Sequence, residues 1–234
     1  MRRVALIASI AAAALAAAPA AHATTVTAMV VGKSSVLSAA KPVKLQQRRV
    51  KAGSRRCTVA GATPLAALAG LHLTFRLRDY QHCGRRVADA AGLFVTRIGS
   101  ERNRGTDGWV YKVGRKTASV GAADPSGRRL RAGDRLLWFW CRTQQSGGCQ
   151  RTLEATPERS TAGPGESLRV TVRGYDDAGR GVAIPGATVT LGGASAVTGS
   201  DGVATVTVPS SGRLRLTATA PGLVTAFPRE VRAG

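Results

Sequence analysis

LLWFWC, residues 136–141, places three of the chain's ten aromatic residues in successive positions. At the two-residue period of a strand, Leu136, Trp138 and Trp140 fall on one face. Leu137, Phe139 and Cys141 fall on the other. Both faces are apolar, the pattern of a central strand covered on each side. Gly133-Asp134 is a turn signal leading into it. The strand closes an amino-terminal part of the chain, so its exit needs to be held.

Cysteine placement supplies the hold. The four cysteines are Cys57, Cys83, Cys141 and Cys149, and in an exported chain they read as two disulfides. Three pairings are possible. Cys141 and Cys149 flank RTQQSGG, a polar loop whose Gly147-Gly148 can turn sharply, which leaves Cys57 to pair with Cys83. A bridge over so short a loop contributes about 2–3 kcal/mol in the chain-entropy account. These thiols read as staples beside a core strand. No Cys-x-x-Cys occurs, and His82, next to Cys83, reads as a loop histidine because zinc needs four ligands at fitting spacing. No metal and no cofactor are expected.

The compartment is read from the first residues. Met1-Arg2-Arg3 is a short positive region, Val4 to Ala18 an apolar run, and Ala21-His22-Ala23 an A-x-A cleavage site. Residues 1–23 therefore read as a secretory signal peptide, with the mature chain starting near Thr24. The apolar run is short of the roughly 20 residues of a membrane span, and no second run approaches that length. The expected location is outside the cell, secreted or associated with the wall, with no transmembrane anchor after cleavage.

Charge divides what remains. Residues 24–150 hold 23 Lys and Arg against 6 acids, whereas residues 151–234 hold 9 against 7. All four cysteines lie in the first part. ERSTAGPGES, residues 158–167, has linker composition. The expected organisation is a domain over 24–150, a linker over 151–164 and a second domain over 165–234. The densest basic segment, residues 33–56, carries eight Lys or Arg and no acid. Lys44, Arg48, Arg49, Lys51, Arg55 and Arg56 are the candidate anion-binding residues. A basic exported protein meets wall polymers and lipid headgroups before it meets nucleic acid, so no nucleic-acid partner is expected.

In the first part, TTVTAMVV (24–31) reads as a strand. GATPLAALAGL (61–71) reads as a short helix with Thr63 as N-cap, Pro64 at its first position and Gly70 at its end. Its inward stripe is Leu65, Leu68 and Ala69. GLFVTRIG (92–99) and DGWVYKVG (107–114) read as strands. In the second of these, Trp109, Tyr111 and Val113 alternate with Val110 and Lys112. One helix against a mixed sheet is an α+β layout.

The succession TPLAALAGL, LFVTRIG, DGWVYKVG and LRAGDRLLWFW resembles the transcobalamin C-terminal-like domain, in its exported two-disulfide branch. Gly108-Trp109-Val110-Tyr111 and Gly133-Asp134 carry the resemblance, which spans about residues 24–150. It implies a β-grasp-like sheet and a non-enzymatic role in binding a soluble ligand or a surface. The helical barrel that completes a cobalamin site in transcobalamin has no counterpart here.

The second part alternates at period two in four places: Leu168, Val170 and Val172; Ala187, Val189 and Leu191; Ala204, Val206 and Val208; and Leu214, Leu216 and Ala218. Short strands between Gly, Pro, Asp and Ser turns predict an all-β sandwich, with Ser200-Asp201-Gly202 as a hairpin turn. GVAIPGATVTL, TGSDGVATVTVP and RLRLTATAPG resemble bacterial immunoglobulin-like and carboxypeptidase-regulatory-like domains, which implies a spacer or adhesive role. Asp176-Asp177 reads as a solvated pair in a Gly-rich turn.

Catalysis finds little support. Nucleophilic catalysis needs a base within reach, and the mature chain has only His72 and His82, no Gly-x-Ser-x-Gly elbow, and isolated Glu101 and Glu154. The expected function is therefore a non-enzymatic binding or surface-interaction protein. Its partner is an anionic surface polymer or a small soluble ligand. The alternative is a structural spacer with no specific ligand.

Overall fold

The computed structural model describes residues 24–127, 129–225 and 227–234. The signal-peptide reading of residues 1–23 lies outside them. The described chain is mostly β, with nineteen strands and one α-helix.

Ten strands precede the first half's end: β1 (Thr25–Val31), β2 (Val36–Lys44), β3 (Arg48–Ala52), β4 (Arg55–Val59), then helix α1 (Pro64–Gly70), then β5 (Phe75–Asp79), β6 (Leu93–Ile98), β7 (Glu101–Arg102), β8 (Gly108–Val113), β9 (Lys116–Thr117) and β10 (Arg135–Cys141). β10 is the strand of LLWFWC. It lies third in a five-stranded sheet of order β2-β1-β10-β8-β9, parallel to β1 and antiparallel to β8. Its two faces serve two different cores. Leu136, Trp138 and Trp140 pack with α1 and the smaller sheets. Leu137, Phe139 and Cys141 pack with Met29, Val31 and Val224, the last contributed by the second half. Across the first face Trp138 lies opposite Tyr111 and Trp140 opposite Trp109. The two tryptophans meet edge to face at 5.6 Å between centroids, a favoured aromatic geometry.

α1 begins where expected. Thr63 Oγ1 accepts from Ala66 N at 3.4 Å, and Pro64 occupies the first turn. Its end differs from the expectation. Leu71 is the C-cap, and His72, at φ 59°, takes the left-handed position that follows. Gly70 instead serves close packing: a Cβ there would lie 2.5 Å from Val43 Cγ1 and 2.9 Å from Arg48 Nη2. The buried side of α1 comprises Leu65, Ala66, Ala67 and Leu68, with Ala69 only half buried.

Two smaller sheets complete this half. β3 and β4 form a hairpin, and β5-β6-β7 form an antiparallel sheet. Both disulfides pair as read, Cys57 with Cys83 and Cys141 with Cys149. The first ties β4 to the loop after β5; the second ties the end of β10 to the loop that follows it.

The second half contains β11 (Thr152–Pro157), β12 (Thr161–Ala162), β13 (Ser167–Tyr175), β14 (Gly181–Ala183), β15 (Thr188–Leu191), β16 (Ala194–Val197), β17 (Val203–Thr207), β18 (Gly212–Thr219) and β19 (Arg229–Ala233). In one sheet β13 pairs with β11 along one edge and with β14 and β17 along the other; the second sheet runs β12-β19-β18-β15-β16. The four predicted alternations all supply buried residues to the shared core of this sandwich-like pair.

Two expectations are corrected. Residues 151–164 are not a bare linker, because β11 and β12 lie within them. Leu153 and Ala155 of β11 point into the core, and its backbone pairs with β13. The period-two signal there is only three residues deep and carries Glu154, so its polar composition dominated the reading. The Ser200-Asp201-Gly202 turn does form, with Gly202 N bonded to Gly199 O. It is not a hairpin, since β16 pairs with β15 and β17 with β13, on different sheets.

Candidate anion-binding site

The β3–β4 hairpin gathers most of the candidate cations. Gly53, at φ 59°, opens the two-residue turn that joins its strands, a conformation glycine adopts at little cost. Val50 lies opposite Cys57 and faces inward; Arg49 lies opposite Thr58 and Lys51 opposite Arg56. Alternation thus puts Arg49, Lys51 and Arg56 on the outer face, all exposed. Arg55 is exposed beside the turn, and Lys44 is exposed at the end of β2. Arg48 departs from the surface position expected for it: it is half buried, and its Nε is enclosed without a partner. None of the six has an acidic partner among the described residues. Lys51 and Arg56 form a directly opposed like-charge pair, which destabilises a hairpin in the absence of an anion.

Three other cations, Lys112, Arg115 and Arg135, are compensated across the junction between the halves. Lys112, on the second face of β8, is completely buried. Its ammonium donates to Thr152 Oγ1 at 3.2 Å, Tyr175 O at 3.0 Å and Asp176 O at 2.9 Å, and lies 3.9 Å from Asp177 Oδ1. Burial pushes this ammonium down to about 8, against the pull of Asp177 and Asp176. Asp177 also accepts from Thr117 Oγ1 and from Cys149 N. It is therefore a junction residue and not the solvated acid expected.

Glu154 on β11 sits beside three arginines. Arg115 Nε donates to its Oε2 at 2.7 Å, Arg229 bonds its Oε1, and Arg135 lies 4.0 Å away. Burial works against the carboxylate, but Arg115 and Arg229 prevail and hold it below the usual range. With Tyr175 and Phe227, Glu154, Arg115 and Arg135 line a cavity of about 130 Å³. Sequence reading missed Lys112, Glu154 and Asp177 as junction residues, because their partners lie 19 to 75 residues away along the chain and no local signal joins them.

His82 is exposed, at φ 56°. Asp79 lies near Cys57 and Cys83, but both sulfurs are spent in the disulfide, and Asp79 accepts from Gln81 N and Cys83 N. That cluster explains itself as a braced loop.

No protein-family model matches this chain, and no curated protein matches it. The functional reading therefore rests on the geometry.

No described helix is long and apolar enough to cross a membrane.

Proposed function

We propose that this is an exported, non-enzymatic surface-interaction protein whose amino-terminal half binds an anionic polymer. The observation that carries the reading is the outer face of the β3–β4 hairpin, where Arg49, Lys51 and Arg56 stand together with no acid. Lys112, Arg115 and Arg135 of the same half find carboxylates at the junction, whereas none lies on this hairpin face. Export is supported by the signal-peptide sequence and by two disulfides, which persist in oxidising compartments.

The same proposal covers the architecture. The β2-β1-β10-β8 order, with its central parallel pair and α1 on one face, supports a β-grasp-like unit akin to the transcobalamin C-terminal-like domain. The two sheets of residues 152–233 support an immunoglobulin-like carrier. A structural role for the carrier is favoured by its cover over the outer face of the first sheet at Val224.

The test is titration of the oxidised chain with a teichoic-acid-type polymer at two salt concentrations. Binding should weaken as salt rises, because exposed charges are screened beyond about 10 Å at 0.1 M. Changing Arg49, Lys51 and Arg56 together to Ser should weaken it further without lowering the melting temperature. Binding that ignores both changes leaves the structural role as the better reading.

A further inference from the structure

A second face of the amino-terminal half carries positive charge that the sequence did not single out. On the β5-β6-β7 sheet, Leu77 lies opposite Val95 and faces the core. The outward positions therefore bring Arg76 opposite Arg97, Arg97 opposite Arg102, and Arg78 opposite Phe94. Arg76, Arg78 and Arg102 are exposed and Arg97 is half buried. The nearby acids are turned elsewhere: Glu101 accepts from Lys33 N with both oxygens, and Asp79 accepts from Gln81 N and Cys83 N. Three arginines in cross-strand register repel one another. Arg97 Nε donates to Gly99 O at 2.6 Å, and an anion lying across the three groups would offset their repulsion, because guanidinium forks match carboxylates and phosphates in pairs of hydrogen bonds.

Two large aromatic side chains share this face. Phe94 is 46% exposed and Tyr80 59% exposed. They are not parallel platforms. Their rings meet at 60° with centroids 6.4 Å apart, and the Arg78 guanidinium covers Tyr80 at 4.8 Å. A run of stacked bases needs successive open ring faces, which this pair does not supply. Phe94 also walls an apolar slot of about 180 Å³ whose other lining includes Trp109, Tyr111 and Val120. One apolar ring surface next to a row of guanidinium groups suits a saccharide ring with an apolar C–H side, carried on a chain of carboxylates.

We infer that the β5-β6-β7 face binds an acidic polysaccharide of the polyuronate type. The carboxylates lie on Arg76, Arg97 and Arg102, and a sugar ring packs on Phe94. β3 of the basic hairpin lies against β5, so this inference rests on the polyanion reading above and names the polymer's chemistry.

The experiment uses the full oxidised chain with three probes: polygalacturonate, inorganic polyphosphate and oligothymidylate. Phe94→Ala should weaken polygalacturonate binding about tenfold, a loss of one stacking contact, and leave polyphosphate binding unchanged. Phe94→Trp should restore it. Arg76→Ser with Arg102→Ser should weaken both anionic polymers. Melting temperatures equal to wild type exclude misfolding, since all these side chains point outward. Polygalacturonate binding indifferent to Phe94→Ala, or no polygalacturonate binding while polyphosphate still binds, overturns the inference and leaves the polyanion reading standing. Oligothymidylate that binds more tightly and depends on Phe94 assigns the face to nucleic acid and also overturns it. If none of the three polymers binds at low salt, both readings fall together.

Discussion

The two halves handle positive charge in opposite ways. Residues 151–234 keep most of their arginines next to their own acids, among them Arg159 with Glu158 and Glu166, Arg180 with Asp176, and Arg213 and Arg232 with Glu230. Residues 24–150 have 6 acids for 23 cations, and they borrow. Lys112 is satisfied by Thr152, Tyr175, Asp176 and Asp177, and Arg115 and Arg135 by Glu154, all from the second half. Among the cations left without a carboxylate are those of the hairpin and those of the β5-β6-β7 face. The difference teaches that formal net charge does not locate a binding surface. The cations that matter are those the tertiary structure leaves without a carboxylate.

The largest expected effect breaks the junction itself. Phe139 is fully buried in the cluster that joins the halves. Phe139→Ala should cost about 3–5 kcal/mol, the usual loss for emptying a large aromatic site. Urea denaturation should show it. A cost below 1 kcal/mol means that the second half only rests on the sheet.

Removing the Cys57–Cys83 bridge, by Cys57→Ala with Cys83→Ala, should cost about 3–4 kcal/mol for the 26-residue separation. Hydrogen exchange should quicken in β3 and β4 and stay slow in β13 and β18. Equal loss in both halves would show that they unfold as one unit.

Next comes the titration of Lys112. Its folded value of about 8 lies below the ordinary 10.5. Between these two values the unfolded chain binds more protons, so stability rises with pH across that window. Measured against Lys112→Met, the wild type should gain on the order of 3 kcal/mol from pH 8 to 10.5. A difference that does not change with pH retires the buried-ammonium account.

The smallest effect on stability belongs to the hairpin. The Arg49, Lys51 and Arg56 to Ser variant should change stability by about 0.5 kcal/mol or less, while relieving the Lys51–Arg56 repulsion. A large loss of stability would mean that these cations hold the fold and are not a free surface.

Much of this was legible in sequence. The alternation of residues 136–141, the Thr63-Pro64 start of α1, both disulfides and the four apolar alternations of the second half are local signals, and each element appears where they point. β11, β12, β14 and β16 were not legible. They are short, and their backbones are held by partners far along the chain. The candidate cations were partly legible: alternation exposes Arg49, Lys51 and Arg56, but packing against α1 and Gly70 encloses Arg48. The ladder of Arg76, Arg97 and Arg102 was hidden because 21 and 5 residues of sequence separate its members, and only strand register aligns them.

By itself, then, the sequence determined which apolar residues of the long alternating strands face inward. Burial of apolar side chains at a two-residue period is a local property and needs no knowledge of the partner. It determined that LLWFWC needs cover on both faces. Only the tertiary structure decided what provides that cover, α1 on one side and the second half on the other. It also decided which charges are cancelled, because an ion pair depends on distances of a few ångströms between residues that the chain keeps far apart.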